Sequence, residues 1–414
     1  MSPPDERWMV CQIGAREHYS IARALHLAKV PTTLLTDYWS GGRTWGVPSR
    51  LSQRYHADLA TADARGFNAA YLRFVASAKI KRLQHWDWIV AQNEWFGKRA
   101  ADQLARQCRK GDRPTVVFAY SYAAKSIFQR AKRDGCITLL GQIDPGPVEM
   151  RLVRQLHERA GCEPLREPPQ SYWDNWRVEC DLADGIIVNS PWSRDAMIQS
   201  GVSAGKILIV PLAYEPERRP VAREREYAGE FTETNPLRIL FLGQVNRRKG
   251  AAELLGAIQA MEADPVQWTI VGPGDEDLLA QFRQTPRTNV VGPVTRSQAA
   301  EYYQKADVFI LPTHSDGYAL TQLEAASYGL PLITSRFCGE VVTEGQNGIL
   351  INRIHAEEIV RSVQYLLTNP VELTRMARNQ LHSEFLAIPD LVDRMRDAAD
   401  RASEMARQST EEIS

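Results

Sequence analysis

No stretch of this sequence comes near the roughly 18 consecutive apolar residues that a membrane-spanning helix needs. Net charge is also lacking, since fifty lysines and arginines stand against fifty aspartates and glutamates. That balance leaves no broad positive field to gather phosphate backbones, so nucleic acid is not expected as a partner. Cysteine is sparse: Cys11, Cys108, Cys136, Cys162, Cys180 and Cys338 lie scattered, with no C-x-x-C pair and no Cys/His cluster at zinc spacing. They read as free thiols of a reducing compartment. The patterns G-x4-G-K-[ST], H-E-x-x-H and G-x-S-x-G are missing too, which argues against NTPase, zinc-protease and serine-hydrolase chemistry. Met1 to Arg7 is polar and acidic, and the apolar stretch after it stops at Gly14, too short for a secretory signal. A soluble, cytoplasmic protein is the expectation.

What is present is a long alternation. With 414 residues the chain exceeds one ordinary core, given a prior of roughly 100 to 200 residues per domain. Short apolar runs alternate with amphipathic stretches, the pattern of parallel strands covered by helices. Strands are expected at Met9–Ile13, Thr32–Thr36, Trp88–Ala91, Thr115–Tyr120, Thr138–Gly141, Ile186–Asn189 and Ile207–Pro211. After a charged stretch, Glu215–Thr234, with Pro216 and Pro220, a second series follows at Ile239–Leu242, Thr269–Val271, Asn289–Val291, Val308–Leu311, Leu332–Thr334 and Ile349–Ile351. The predicted fold is α/β, with two doubly wound Rossmann-like domains facing a central cleft. Residues 1–212 form the first, 213–235 a linker, 236–387 the second, and 388–414 a charged helical tail that packs outside or crosses back. Ligands of such sheets sit beyond the carboxyl ends of the strands.

One segment placed just after an expected strand concentrates chemistry: Asp316-Gly-Tyr-Ala-Leu-Thr-Gln-Leu-Glu324-Ala-Ala-Ser-Tyr-Gly329-Leu-Pro331. Gly317 lets backbone approach a ligand, and a helix starting near Leu320 points its unpaired N–H groups at the same spot, an arrangement suited to anions. Gly329 and Pro331 end that helix. About one turn inside, Glu324 can accept from vicinal hydroxyls such as those of a ribose, and Asp316 can do the same for a sugar. A second loop, Leu242-Gly243-Gln244-Val245-Asn246-Arg247-Arg248-Lys249-Gly250, follows the first strand of the second domain and offers cations to a pyrophosphate.

The Asp316-x7-Glu324 spacing resembles the acid-x7-Glu signature of retaining GT-B glycosyltransferases, particularly family 4. The resemblance implies that Glu324 holds the nucleotide ribose, that Asp316 contacts hydroxyls of the transferred sugar, and that the backbone of Gly317, Tyr318, Ala319, Leu320 and Thr321 meets sugar and phosphate. The loop from Gly243 is similar to the family's Gly-Arg-x4-Lys-Gly. Lys249 falls on its phosphate-binding lysine, Gln244 stands in place of its usual Arg, and Arg247 or Arg248 would compensate. Asp316 is likewise shorter than the usual Glu. Looser matches at Gly272-Pro-Gly274, Gly292, Gly339-Glu340 and Glu179…Asp184…Ser190 extend the likeness from about Arg177 to Leu367. In the first domain, Gly14 and His18 follow the first strand and face the cleft by topology. Asp144 stands where the family often keeps a histidine, so Asp144 or Gln142 is the candidate there, with a turn-forming Asp-Pro-Gly as the alternative reading.

The function so implied is retaining transfer from a nucleoside diphosphate sugar, UDP- or GDP-linked, to a glycan, lipid-linked or small-molecule acceptor, with no metal or other cofactor. Asp316, Lys249 and Arg248 are the expected catalytic residues; Gly243, Lys249, Glu324, the 317–321 backbone, Gly14, His18 and Asp144 are the expected binding residues. Asp275-Glu-Asp277 spells a metal-binding D-x-D but reads better as an acidic helix start. A basic stretch between tryptophans, Arg73 to Trp88, reads as a core-packed helix with a solvated side, or as a weak peripheral contact with the inner membrane face. The rival functions are a sugar phosphorylase or epimerase, and a non-catalytic homologue that binds nucleotide sugar or a partner glycosyltransferase.

Overall fold

A computed structural model describes residues 6–42, 48–215, 225–227, 229–381 and 385–411. In the first half, β1 (Trp8–Gln12), β2 (Thr32–Thr36), β3 (Asp63–Gly66), β4 (Val116–Tyr120), β5 (Ile137–Gly141), β6 (Gly185–Val188) and β7 (Ile207–Ile209) form one sheet in the order β3-β2-β1-β4-β5-β6-β7. All its pairings are parallel. Alternate residues of a strand face opposite sides, so Met9, Cys11, Val117 and Ala119 enter one core while Trp8, Val10, Val116 and Phe118 enter another. Burial on both faces explains why these strands read as continuous apolar runs.

The second half repeats the plan with β8 (Leu237–Leu242), β9 (Val266–Val271), β10 (Thr288–Gly292), β11 (Val308–Leu311), β12 (Leu332–Ser335) and β13 (Gly348–Ile351), ordered β10-β9-β8-β11-β12-β13. These pairings are parallel as well. Strand order reverses between β1 and β4 in one sheet and between β8 and β11 in the other, so the loops leaving those strands flank the crevices where such sheets take ligands.

Two departures from the expected elements have local causes. Trp88–Ala91 is not a strand but part of the helix His85–Arg109. Trp88 packs on Phe74, which also stacks on Trp95, and Phe96, Ala100 and Leu104 continue the buried stripe at helical spacing. The strand β3, by contrast, is an edge strand of alternating exposure, Asp63-Ala-Arg-Gly, with little apolar signal to read.

Of the expected linker, residues 216–224 and 228, including Pro216 and Pro220, lie outside the described residues. Arg225 and Tyr227 dock on carbonyls of the second sheet's helices and loops, at Tyr303 and Asp307. The final helix, Ile388–Glu411, crosses back to the first sheet: Ile388, Leu391, Met395, Ala398 and Ala402 join its core, and Arg396 pairs with Glu6 at 2.9 Å. Among the described residues no helix is long and apolar enough to cross a membrane.

Candidate active site

The loop leaving β8 is shaped by its neighbours. The Asn246 side chain accepts from Lys249 N at 3.0 Å, and Gly250 turns the chain at φ +73°. A Cβ on Gly250 would lie 1.9 Å from Pro312 O, so only glycine lets this loop approach the end of β11. Arg248 O then accepts from His314 N at 2.8 Å and Thr313 Oγ1 at 3.1 Å, which stitches the two loops together. The stitching brings Lys249 Nζ onto the Asp316 carboxylate as an ion pair, with the side chains 12% and 19% exposed.

Past β11 the chain is braced from β12. Asp316 N and Ala319 N donate to Phe337 O and Cys338 O at 2.8 and 3.0 Å, and Gln322 Nε2 donates to Cys338 O at 2.6 Å. The helix Leu320–Ser327 starts from Ala319 without a side-chain cap and stops before Gly329 at φ +71°. Its first turn therefore keeps donors and a positive dipole end toward the cleft. Glu324 accepts from Tyr303 OH at 2.8 Å, and Tyr303 in turn stacks on Tyr328. Together with Leu320, Glu324 lines a cavity of about 380 Å³ whose opposite wall is Glu17, His18, Arg23 and His56 of the first domain. Glu324 and His18, singled out separately from sequence, thus share one cavity.

The first domain grips the Asp316–Gly317 loop directly. Ser190 Oγ donates to Gly317 O at 2.8 Å, Trp192 Nε1 donates to Ser315 Oγ at 3.0 Å, and Ser315 Oγ donates to Glu149 at 2.7 Å. A Cβ on Gly317 would come within 3.3 Å of Ile143 O. Arg248 belongs to the same contact, giving Nη1 to Ser315 O at 2.7 Å and to Glu149 at 3.4 Å. Its guanidinium is therefore shared between the domains, and Arg247 reaches Cys162 Sγ. Burial pushes the Glu149 carboxyl up to about 7; Arg248 opposes the rise, and Asp144 and Asp316 add to it.

Other expected residues have structural duties. Gly14 N donates to buried Asp37 at 2.9 Å, and a Cβ there would meet Arg54 at 2.7 Å, so its N–H is committed within the protein. Glu17, His18 and Tyr19 follow at φ 49°, 50° and 61°, a left-handed turn of non-glycine residues that costs roughly 1–2 kcal/mol per residue. Asp144 accepts from Tyr122 OH at 2.6 Å and Gly146 N at 2.8 Å, and burial raises its carboxyl above the ordinary range. Gly243 sits beneath Gly272, whose Cβ would lie 1.8 Å from Gly243 O. Asp275 precedes the helix Glu276–Gln284, with Glu276 and Asp277 in its first turn. Glu179 accepts from the N–H groups of Tyr122, Ala124 and Lys125 at 2.6, 2.8 and 3.1 Å, fixing the turn after β4.

Sequence reasoning did not single out Glu149, Ser190, Trp192 or Ser315 as one contact. Glu149 looks like an ordinary acidic helix start, and nothing local links it to Ser315, 166 positions away.

Comparisons with known proteins bear on the fold and on the second half of the chain. Residues 236–369 match the family model described as "Glycosyl transferases group 1". Among similar proteins, a glycogen synthase of Mycobacterium tuberculosis is 26% identical over 225 residues, covering 51% of this chain and 52% of the relative. A D-inositol 3-phosphate glycosyltransferase of Paenarthrobacter aurescens is 24% identical over 228 residues, covering 50% and 56%. The chain spans about half the length of the curated relatives it matches. Over nearly the whole chain, the fold is that of Anabaena Alr3699/HepE, solved with UDP (TM-score 0.63, 13% identity, 95% of this chain and 99% of that one). Sucrose-phosphate synthase from Thermosynechococcus elongatus is equally close in shape (TM-score 0.62, 17% identity, covering 98% and 99%). The chain therefore has the two-domain GT-B fold, and its residues 236–369 are similar to group 1 glycosyl transferases.

Proposed function

We propose that the protein is a retaining, family 4-like glycosyltransferase that moves a sugar from a nucleoside diphosphate sugar to an acceptor held mainly by the first domain. The observation that carries the reading is the convergence of Lys249, Asp316 and the N-terminus of the helix Leu320–Ser327 at the strand-order reversal of the second sheet, with Glu324 one turn behind. HepE structures with UDP and with UDP-glucose support a nucleotide-sugar donor, and make uridine nucleotides the first choice over GDP-linked ones. In the reaction the anomeric carbon–phosphate oxygen bond breaks and its electron pair leaves with the diphosphate. The acceptor oxygen bonds to the anomeric carbon from the same face, and its proton passes to the departing phosphate oxygen. Lys249 and the helix N-terminus stabilise the charge that grows on the diphosphate, without a divalent metal. Glu324 holds the ribose and Asp316 the sugar hydroxyls.

The proposal places the enzyme in the cytoplasm. Weak contact with the inner membrane face is supported by exposed Leu72 and Ile80 beside exposed Lys79, Lys81 and Arg82.

A second reading, a non-catalytic binder of nucleotide sugar, is favoured by the direct Lys249–Asp316 pair, which occupies both groups with each other. Slow hydrolysis of UDP-, GDP-, ADP- and dTDP-sugars by the purified protein separates the two. Release of nucleoside diphosphate from one donor is expected; a donor that raises the melting temperature and is never cleaved supports the binder.

A further inference from the structure

Between Arg247 and Arg248 of the loop after β8 and the first domain, the interdomain cleft contains a cavity of about 330 Å³ whose first-domain side includes the aromatic rings of Trp86, Tyr122, Tyr172 and Trp173. Trp86 meets Tyr172 edge-on at 5.2 Å, Tyr172 stacks on Tyr122 at 4.5 Å, and Trp173 meets Tyr172 at 5.1 Å. Three separate elements supply these rings: the helix His85–Arg109, the turn after β4 and the helix Gln170–Leu182.

Three carboxylates line the same cavity, Asp144, Glu149 and Asp275, and the first two each leave one oxygen without a hydrogen-bond partner among the described residues. Every hydrogen bond to the Asp144 carboxylate falls on Oδ1, from Tyr122, Gln142 and Gly146, so Oδ2 is unpaired. Likewise Ser315 and Arg248 both reach Glu149 through Oε2, leaving Oε1. In the same wall His157 keeps its Nδ1 buried and without a partner. Trp86, Tyr122 and Tyr172 also border a second cavity of about 270 Å³, where Gln12, Asn93 and Ser121 bring amide and hydroxyl groups.

Flat apolar faces beside unpaired carboxylate oxygens match a pyranose ring, which has an apolar C–H face and a rim of hydroxyl donors. A hydrocarbon chain matches poorly, since it would seal Asp144 and Glu149 against groups that cannot bond to them. A free anion would meet three carboxylates, and the two guanidiniums of the opposite wall are already engaged, Arg248 with Ser315 and Glu149 and Arg247 with Cys162 Sγ.

We propose that this cavity is the acceptor subsite, and that the acceptor is a saccharide whose terminal ring packs on Trp86 and Tyr172 while Asp144 Oδ2 accepts from one of its hydroxyls. The proposal rests on the glycosyltransferase reading and adds to it the class of acceptor and the residues that hold it.

The test is calorimetric titration of the UDP-saturated protein with maltose, lactose, mannobiose and chitobiose, and with octyl phosphate as the apolar control. At least one disaccharide is expected to bind saturably. Trp86→Ala should raise its dissociation constant about tenfold or more, the scale of a lost packing or hydrogen-bonded contact, while UDP affinity holds and the protein stays folded. Trp86→Phe should restore most of the binding, and Asp144→Asn should weaken it by removing the charged acceptor. The proposal is overturned if UDP binds but no disaccharide does, if octyl phosphate binds in their place, or if folded Trp86→Ala binds the disaccharide like the parent. Failure of UDP and of every nucleotide sugar to bind would instead strike the glycosyltransferase reading itself.

Discussion

Because Lys249 and Asp316 face each other, removing either one acts on its partner, and the two losses differ in sign toward an anion. With side chains 12% and 19% exposed, neither position is a surface site. Lys249→Ala leaves a carboxylate without its cation. A fully buried orphan of this kind costs about 3–5 kcal/mol, and partial exposure together with the nearby helix N-terminus brings the expected loss of stability to about 1–2 kcal/mol. The same change removes a charge-assisted contact to the diphosphate, about 1.5–3 kcal/mol, which is roughly 10- to 150-fold in the dissociation constant for UDP. Asp316→Ala removes a negative charge and frees the lysine, so UDP affinity should hold or rise while sugar transfer falls. Calorimetric titration of UDP into both single variants and the double variant measures the coupling between the two positions. Melting temperature serves as the folding control and donor hydrolysis as the catalytic readout. If Asp316→Ala loses UDP affinity as far as Lys249→Ala does while both stay folded, the assignment of phosphate to Lys249 and sugar to Asp316 is wrong.

Glu149 should make stability depend on pH. Its carboxyl holds a proton up to about 7 in the folded state against an ordinary 4.5, so the native state binds the extra proton between those values. The contribution is present below pH 4.5 and lost as pH rises through 7, about 3 kcal/mol in all. Melting curves of the parent and Glu149→Gln from pH 4 to 8 isolate it, and parallel curves would refute it. Truncating Glu324 to Ala should weaken UDP and donor together by about 1.5–3 kcal/mol; unchanged calorimetric affinity would take Glu324 off the ribose. Glu179→Ala strands three N–H groups of the turn after β4, two of them buried, and should cost about 2 kcal/mol or more in urea unfolding, since each unmet buried donor costs roughly 1–3. Chelation by EDTA should leave transfer largely intact, whereas activity lost and then restored by Mn²⁺ would return Asp275 and Asp277 to consideration as ligands.

Much of the second domain was legible because its strands are central and buried on both faces. Ile239–Leu242, Val308–Leu311 and Leu332–Ile333 are continuous apolar runs with Gly or Pro at one end. The first domain was harder to read at its margin. The short apolar run at Trp88–Ala91 has too few residues to separate period 2 from period 3.6, and the helix became evident only through Phe74 packing on Trp88 and Trp95. Edge strand β3 needs only one partner and shows its other side to solvent, so it carries no apolar signature.

By itself the sequence determined the alternation of strand and helix, the glycine-bounded loops after β8 and β11, and the spacing of Asp316, Glu324 and Lys249. Those features follow from side-chain period and backbone freedom within about a dozen residues. Only the tertiary structure decided that Lys249 pairs with Asp316, 67 positions on, that Ser190 holds Gly317 from 127 positions away, and that Glu149 anchors Ser315 across the cleft. Strand order sets those meetings, because it brings the carboxyl ends of β8 and β11 together and turns two sheets toward each other, whatever separates their residues along the chain.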